Sequence, residues 1–426
     1  MERAEAFLRR HNMYFEQMPF RELKERYKED MAAGLRGAPS SLPMLPSYVP
    51  AGREPIRNER VLVIDAGGSN LRVGCAYFDG DGRCVTEEVR KSAMPGSNGE
   101  CITAAEMFDR IAAEAAPFAE KCRYAGLSFS YPCESLPDGD GIFLRLCKEL
   151  RVEGAEGGLL CAPLEAALQK RGVGGKRRWR MINDSIGSLL GGLTVPGRRG
   201  YTDYIGLVLG TGVNTCCILP CREVTKAPEA CALPGEMFIN MESSAFKGVL
   251  MGTVDRTLDE RSEKPGEHWS EKMVSGAYYA TLLRETLFLA AEEGELSPEG
   301  AEALRSLTVT SAAVSELCLG QGAIADALAG EDLAFAREVN DALLERGARL
   351  EAACITAILE SSAPAEGRRA LICADGTTIR KNPVLQPKIE RYLARYAEEE
   401  LGIPVEFCYT EDATLLGSAW AGLIGD

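Results

Sequence analysis

The chain has 426 residues, 46% of them hydrophobic and 26% charged, with a formal net charge of −15 at pH 7. That length allows two domains with separate cores, and the acidic balance excludes a general nucleic-acid binder, which needs basic surface. No apolar run approaches the ~18 residues of a membrane span, and the charged, helix-patterned start MERAEAFLRRHNMYFEQ reads as neither a signal peptide nor a lipidation site.

In chain order, residues 1–37 carry apolar side chains at helical spacing (Phe7, Met13, Phe15, Met18, Leu23, Tyr27, Met31), which predicts one or two helices packed on a larger body. Residues 38–58 are rich in Pro, Ser and Gly and read as a surface linker. From 60 to 90 the pattern alternates through VLVID, VGCAYFD, a DGDG turn and CVTEEVR, a hairpin meander that opens a domain. An Ala-rich amphipathic helix is expected over 103–119, a strand over 124–132, and a helix over 162–172 that stops at Gly172. MINDSIGSLLGGL (181–193) starts as a strand and turns helical at Asn183-Asp184-Ser185. A second strand block fills 205–240 (YIGLVLG, NTCCILP, EMFIN), and 270–360 is helical. A strand at 370–374, a helix over 382–399, a strand over 405–410 and the helix TLLGSAWAGLIG close the chain. Strands alternating with helices favour an α/β architecture, and the blocks at 61–72 and 205–214 read as a distant duplication.

The 15 cysteines are odd in number, sit mostly in apolar segments (Cys75, Cys216, Cys217, Cys354, Cys373) and form no CxxC pair. They read as reduced core residues of a cytoplasmic protein. Two histidines, His11 and His268, leave few candidates for a histidine base and argue against a Cys/His zinc site.

Three apolar runs end in small, glycine-rich turns: VLVIDAGGSNLR (61–72), IGLVLGTGVN (205–214) and LICADGTT (371–378). Glycine lets backbone N–H groups approach a phosphate closely and permits φ > 0. Three such turns in one chain suggest two similar lobes closing on one nucleotide, and hence phosphoryl transfer. Because the chain is acidic overall, local donors must hold any phosphate.

Other segments extend this pattern. MLPSYV (44–49), IDAGGSNLRV, SFSYPC (128–133), INDSIG (182–187), GLVLGTGVN, FINMESSAF (238–246), SEKMVSGAYYATLLRETL (270–287) and CADGT (373–377) occur in that order. Together they resemble the motifs of the eukaryotic-type hexokinases, from about residue 20 to the C-terminus. The cysteine-rich zinc motif of the repressor-type bacterial glucokinases, which share the fold, is missing. The resemblance implies an α/β, two-lobed actin-like ATPase (ribonuclease H-like) fold with an interlobe cleft. Residues 56–187 would form the small lobe and 188–410 the large lobe. Residues 1–55 would pack on the large lobe, and 411–426 would return to the small lobe near the nucleotide.

The resemblance also implies an ATP-dependent hexokinase acting on the 6-hydroxyl of glucose or a related hexose, with ATP and Mg²⁺ as cofactors. It implies no nucleic-acid or membrane partner and a monomeric or homodimeric state. Asp184 is then the catalytic base, although Asn183, Asp184 or Ser185 would each also serve as an ordinary helix N-cap. Arg72 would neutralise charge on the phosphates, and Asp65 would face Mg²⁺ through water. Ser130, Lys148, Asn183, Asn214, Glu242 and Glu271 would bind the sugar hydroxyls. Gly67, Gly68, Ser69, Asn70, Gly210, Thr211, Gly212, Asp375, Gly376 and Thr377 would bind the phosphates, with Gly417 beside the adenine.

The chain departs from that pattern in several places. Cys147 stands where threonine is usual, Ser243 where tryptophan is usual, and Lys247 interrupts a Gly-Ala-Phe-Gly segment. His268 replaces a polar residue three positions before Glu271, and DATLLGSAW (412–420) stands in place of Gly-Ser-Gly-Lys-Gly. The alternatives are a kinase for another sugar, one using another phosphoryl donor, or a non-catalytic sugar-sensing relative.

Overall fold

The computed structural model describes residues 2–144, 150–363 and 365–425. After two N-terminal helices the chain forms strand β1 (Leu45–Pro50) and then lays down β2 (Arg60–Ala66), β3 (Asn70–Phe78), β4 (Cys84–Ala93), β5 (Tyr124–Phe129) and β6 (Arg178–Asn183). β2, β3 and β4 form the antiparallel meander that the alternation predicts. β5 and β6 join β2 in parallel, giving the order β4-β3-β2-β5-β6. The second block repeats this plan. β7 (Asp203–Leu209), β8 (Val213–Pro220) and β9 (Glu236–Asn240) are antiparallel, and β10 (Ala370–Asp375) and β11 (Val405–Cys408) follow in parallel. The order is β9-β8-β7-β10-β11, with β1 added beyond β9. The duplication read in the sequence thus extends to strand order.

In each half the fifth strand runs into a helix, Asp184–Leu193 after β6 and Ala413–Leu423 after β11. These two helices cross at glycines. A Cβ on Gly417 would stand 2.0 Å from the Gly187 carbonyl oxygen, and one on Gly191 would stand 2.0 Å from that of Ala413. No larger residue allows so close a crossing. Around the pair, Ile186, Leu189, Leu415 and Trp420 share one core with Val61, Val63 and Ile182 of one sheet and Phe238 and Leu371 of the other. A separate core lies between the first sheet and helices Ala104–Ala119 and Cys161–Lys170. The largest core joins the second sheet to the long helix Gly330–Ser361 and to the N-terminal helices Glu2–Arg10 and Phe20–Arg36. Phe7, Leu8, Phe20 and Leu23 are buried there, each contributing about 2 kcal/mol. Tyr27 stacks on Phe246 with ring centroids 3.5 Å apart.

Two expectations are corrected. Residues 38–58 are not simply a surface linker. β1 pairs antiparallel with β9, and Leu42, Met44 and Val49 are fully buried. Pro46 and Pro50 fit because an edge strand has N–H groups that need no ladder partner. The helix expected over 382–399 begins at Leu385 and ends in a π-helical turn, Ala394–Glu399. Its start is set by Asn382, whose Oδ1 accepts from the N–H groups of Val384 (3.1 Å) and Leu385 (3.0 Å). Among the described cysteines none is disulfide-bonded, and most are buried. No helix among the described residues is long and apolar enough to cross a membrane.

Candidate active site

Between the sheets lies a cleft of about 990 Å³. Every described residue expected to contact substrate or phosphate lines it, with one exception. Gly417 is not in the lining. A Cβ on Gly417 would meet the Gly187 backbone of the neighbouring helix. Lys148 and Cys147 lie outside the described residues.

The two glycine turns have matching construction. Gly67 N–H donates to the Asn70 carbonyl and Gly210 N–H to that of Gly212, both at 2.9 Å. Tyr131 holds the first turn, its hydroxyl donating to the carbonyl of Gly68 (2.8 Å). The second turn is held by Thr378 Oγ1 (2.7 Å) and by the Gly276 N–H (2.8 Å), both donating to the Gly210 carbonyl. The third turn packs directly on the second. Gly376 has φ +112°, and a Cβ there would lie 2.4 Å from the Leu209 carbonyl. Glycine is therefore required where the second and third turns meet.

Three groups compete to cap the helix that follows β6, and the geometry assigns the cap. Asn183 Oδ1 accepts from the N–H (2.9 Å) and the hydroxyl (2.7 Å) of Ser185. Asp184, one residue on, is left to face the cleft. Its carboxyl is pushed up from 3.8 to about 7, chiefly by burial, with the charge of Glu242 adding to the rise and a hydrogen bond from Ser130 opposing it. A carboxylate poised there suits a general base at neutral pH.

Amide and carboxylate side chains in the cleft form a hydrogen-bonded chain. Asn214 Nδ2 donates to Asn183 Oδ1 (3.1 Å) and to Asn240 Oδ1 (2.9 Å), and Asn240 Nδ2 donates to Glu242 Oε1 (2.8 Å). Glu271 Oε2 accepts from the Val213 N–H (3.3 Å), an approach that Gly212 leaves open. Glu242 and His268 both adopt left-handed backbone conformations, with φ +54° and +53°. Such strain is held by the surrounding structure and clusters at ligand sites. His268 Nδ1 pairs with Ser244 Oγ at 3.0 Å. The polar network extends through Ser243 Oγ, which donates to Thr215 Oγ1 (3.0 Å), and Lys247 lies over the Trp269 ring.

At the opposite end Asp65 is buried on β2. Desolvation raises its pKa, and the Arg72 guanidinium, donating from Nε at 2.8 Å, offsets part of that rise. Arg72 also reaches Asp412 and Thr414 Oγ1 (2.8 Å) at the start of the terminal helix. Asn240, Tyr131 and Thr414 were not singled out in the sequence. Asn240 and Tyr131 lie inside the FINMESSAF and SFSYPC segments, and position inside a motif was the only available signal. Lys91 on β4 also lines the cleft, and no pattern in the sequence pointed to it.

Two family models, each described as Hexokinase, match residues 204–424 and 5–193. The chain belongs to the hexokinase family. It is a sugar kinase. It is 28% identical to Hexokinase-4, chloroplastic, of Oryza sativa subsp. japonica, over 92% of this chain and 84% of that protein. It is 29% identical to the Hexokinase-like 1 protein of Arabidopsis thaliana, over 92% and 85%. In fold it is similar to the hexokinase of Schistosoma mansoni complexed with glucose, with TM-score 0.80 and 22% identity over 99% of this chain and 98% of that one. The hexokinase thus has a mixed α/β, two-lobed fold, with the glycine turns and the amide and carboxylate side chains lining one cleft.

Proposed function

We propose that this chain is an ATP-dependent hexokinase that transfers the γ-phosphoryl group to the 6-hydroxyl of glucose or a close hexose, with Asp184 as base. The observation that carries this reading is the division of labour at the start of the helix Asp184–Leu193. Asn183 takes the cap, and Asp184, pushed up to about 7, faces the cleft. The small lobe would span 56–187, and the large lobe 188–410 with residues 1–55 packed on it. The terminal helix, residues 411–426, would return to the small lobe near the nucleotide. The reduced cysteines support a cytoplasmic location.

Glu242, Glu271, Asn183, Asn214 and Ser130, which all line the cleft, would hold the sugar, their amides, carboxylates and hydroxyl suiting a polyol. Asp184 would orient the 6-hydroxyl and accept its proton while the O–P bond forms and the bond from phosphorus to the leaving ADP oxygen breaks. The amides of the turns at 67–70, 210–212 and 375–377 would cradle phosphate oxygens, with Arg72 neutralising developing charge. No group of three or more His, Cys, Asp or Glu side chains among the described residues could hold a metal alone. Mg²⁺ would arrive on the nucleotide, with Asp65 as its protein-side carboxylate through water and the metal supplying charge neutralisation. Closure of the lobes over the sugar would exclude water and limit ATP hydrolysis.

Asp184→Asn tests the reading. It keeps the shape and removes the base, so sugar affinity by calorimetry should hold while turnover drops by roughly 10²–10⁴-fold. Loss of sugar binding together with turnover would make Asp184 a structural residue.

A further inference from the structure

The described thiols are of two kinds. Cys133, Cys161, Cys217 and Cys354 are buried, and desolvation pushes each well above the ordinary thiol range, which makes them inert. Two pairs differ. Cys75 and Cys122 have their sulfurs 3.7 Å apart, and Cys373 and Cys408 have theirs 3.5 Å apart. The second pair joins β10 to β11, where the two residues are direct partners in the parallel ladder. Neighbouring strands lie about 4.8 Å apart, inside the Cα separation of about 4.4–6.8 Å that a disulfide bridges.

The two sulfurs of this pair are not equivalent. The contact with Cys373 holds the Cys408 thiol below its ordinary value, burial opposes that, and the Arg198 guanidinium adds to it. The same contact pushes Cys373 up. Cys408 is also the more accessible, 8% exposed against 2%. Cys408 is thus the thiolate of the pair, and Cys373 holds the proton.

The pair stands behind the cleft. Cys373 lies two residues before Asp375, where the third glycine turn opens, and Cys408 lies four before Asp412, which Arg72 reaches from β3. Arg198 ties down the segment between, donating to Thr410 Oγ1 (2.7 Å) and to the Tyr409 carbonyl (3.1 Å). Cys373 Sγ fills the space that a Cβ on Gly192 would take, so it packs on the helix that begins at Asp184. Closing the sulfurs from 3.5 Å to the about 2.05 Å of a disulfide must therefore shift the third turn, the start of the terminal helix or the helix of Asp184.

We propose that Cys373 and Cys408 form a reversible disulfide that lowers turnover when the protein meets a peroxide. The functional half of this inference rests on reading the cleft as the phosphoryl-transfer site. The Cys408 thiolate attacks one oxygen of hydrogen peroxide, the O–O bond breaks, and a sulfenic acid and one water result. The Cys373 sulfur then attacks Cys408 Sγ, the S–S bond forms, and hydroxide leaves with the Cys373 proton as the second water. The thiols lose two electrons and two protons, and the peroxide takes both. A dithiol reverses the step by exchange.

The test treats the reduced full chain with hydrogen peroxide, alkylates the remaining thiols, and reads both tryptic peptides and the glucose-dependent rate. The wild type should yield residues 370–380 linked to residues 396–426. Its turnover should fall roughly 10–100-fold, because displacements near 1 Å at a reacting centre cost that much, and a dithiol should restore it. Cys373→Ser and Cys408→Ala should keep their rate under peroxide. Cys75→Ser, which breaks the other pair, should lose rate as the wild type does. Separate alkylation of the two peptides overturns the inference, as does a linked protein with unchanged turnover, or a loss of rate that survives in Cys408→Ala or vanishes in Cys75→Ser. A reduced protein with no glucose-dependent rate overturns the kinase reading instead, and the peptides still decide whether the disulfide forms.

Discussion

Lowering the pH should switch this enzyme off through one protonation near pH 7. The carboxyl of Asp184 moves from 3.8 to about 7, a shift worth roughly 4 kcal/mol between its two protonation states. Burial is the main cause, the Glu242 charge adds to it, and the Ser130 hydrogen bond opposes it. A base must be ionised, so kcat/KM should fall about tenfold per pH unit below that value and level off above it. Ser130→Ala removes a bond that favours the charged form, so the acid limb should move up by about one unit. Glu242→Gln removes a like charge and should move it down, alongside weaker sugar binding. Initial rates of ADP formation at low sugar, from about pH 5 to 9, read all three profiles. A wild-type profile flat down to about pH 5, or a limb unmoved by Ser130→Ala, would refute the reasoning.

Two further predictions concern stability. Gly417→Ala places a Cβ 2.0 Å from the Gly187 carbonyl, so the two central helices must part, costing roughly 2–4 kcal/mol by denaturant unfolding and lowering turnover. Glu351, buried on the helix Gly330–Ser361, is pushed by desolvation from 4.5 to about 8. Its folded pKa is raised, so its contribution to stability is fully present below about pH 4.5 and is lost as pH rises towards 8, a swing on the order of 5 kcal/mol. Glu351→Gln should therefore raise the thermal midpoint at pH 8.5 and leave it unchanged at low pH. No difference at either pH would contradict the assignment.

Much of the fold was legible because the buried strands announce themselves. VLVID and YIGLVLG are continuous apolar runs ending at glycine, and both became central strands with turns in the cleft. The motif residues converged for the same reason, since turns at strand ends fall along one side of each sheet. β1 was less legible, because its prolines and serines have the composition of a loop and only pairing with β9 makes it a strand. Gly417 was read as making room for a ligand, and a single sequence cannot tell that need from room for another helix. Lys91 carries no local signal at all. Its place beside Arg72 is a matter of cross-strand register, which depends on where the DGDG turn and the bulge between Cys75 and Ala76 set the ladder.

The central claim is sugar-dependent phosphoryl transfer from ATP, and the direct measurement is ADP release from MgATP by the purified chain with and without glucose, with the sugar product identified. The account predicts a rate that depends on glucose and yields the 6-phosphate. ADP formed at the same rate without sugar, or no turnover from a protein that still binds glucose, would contradict it.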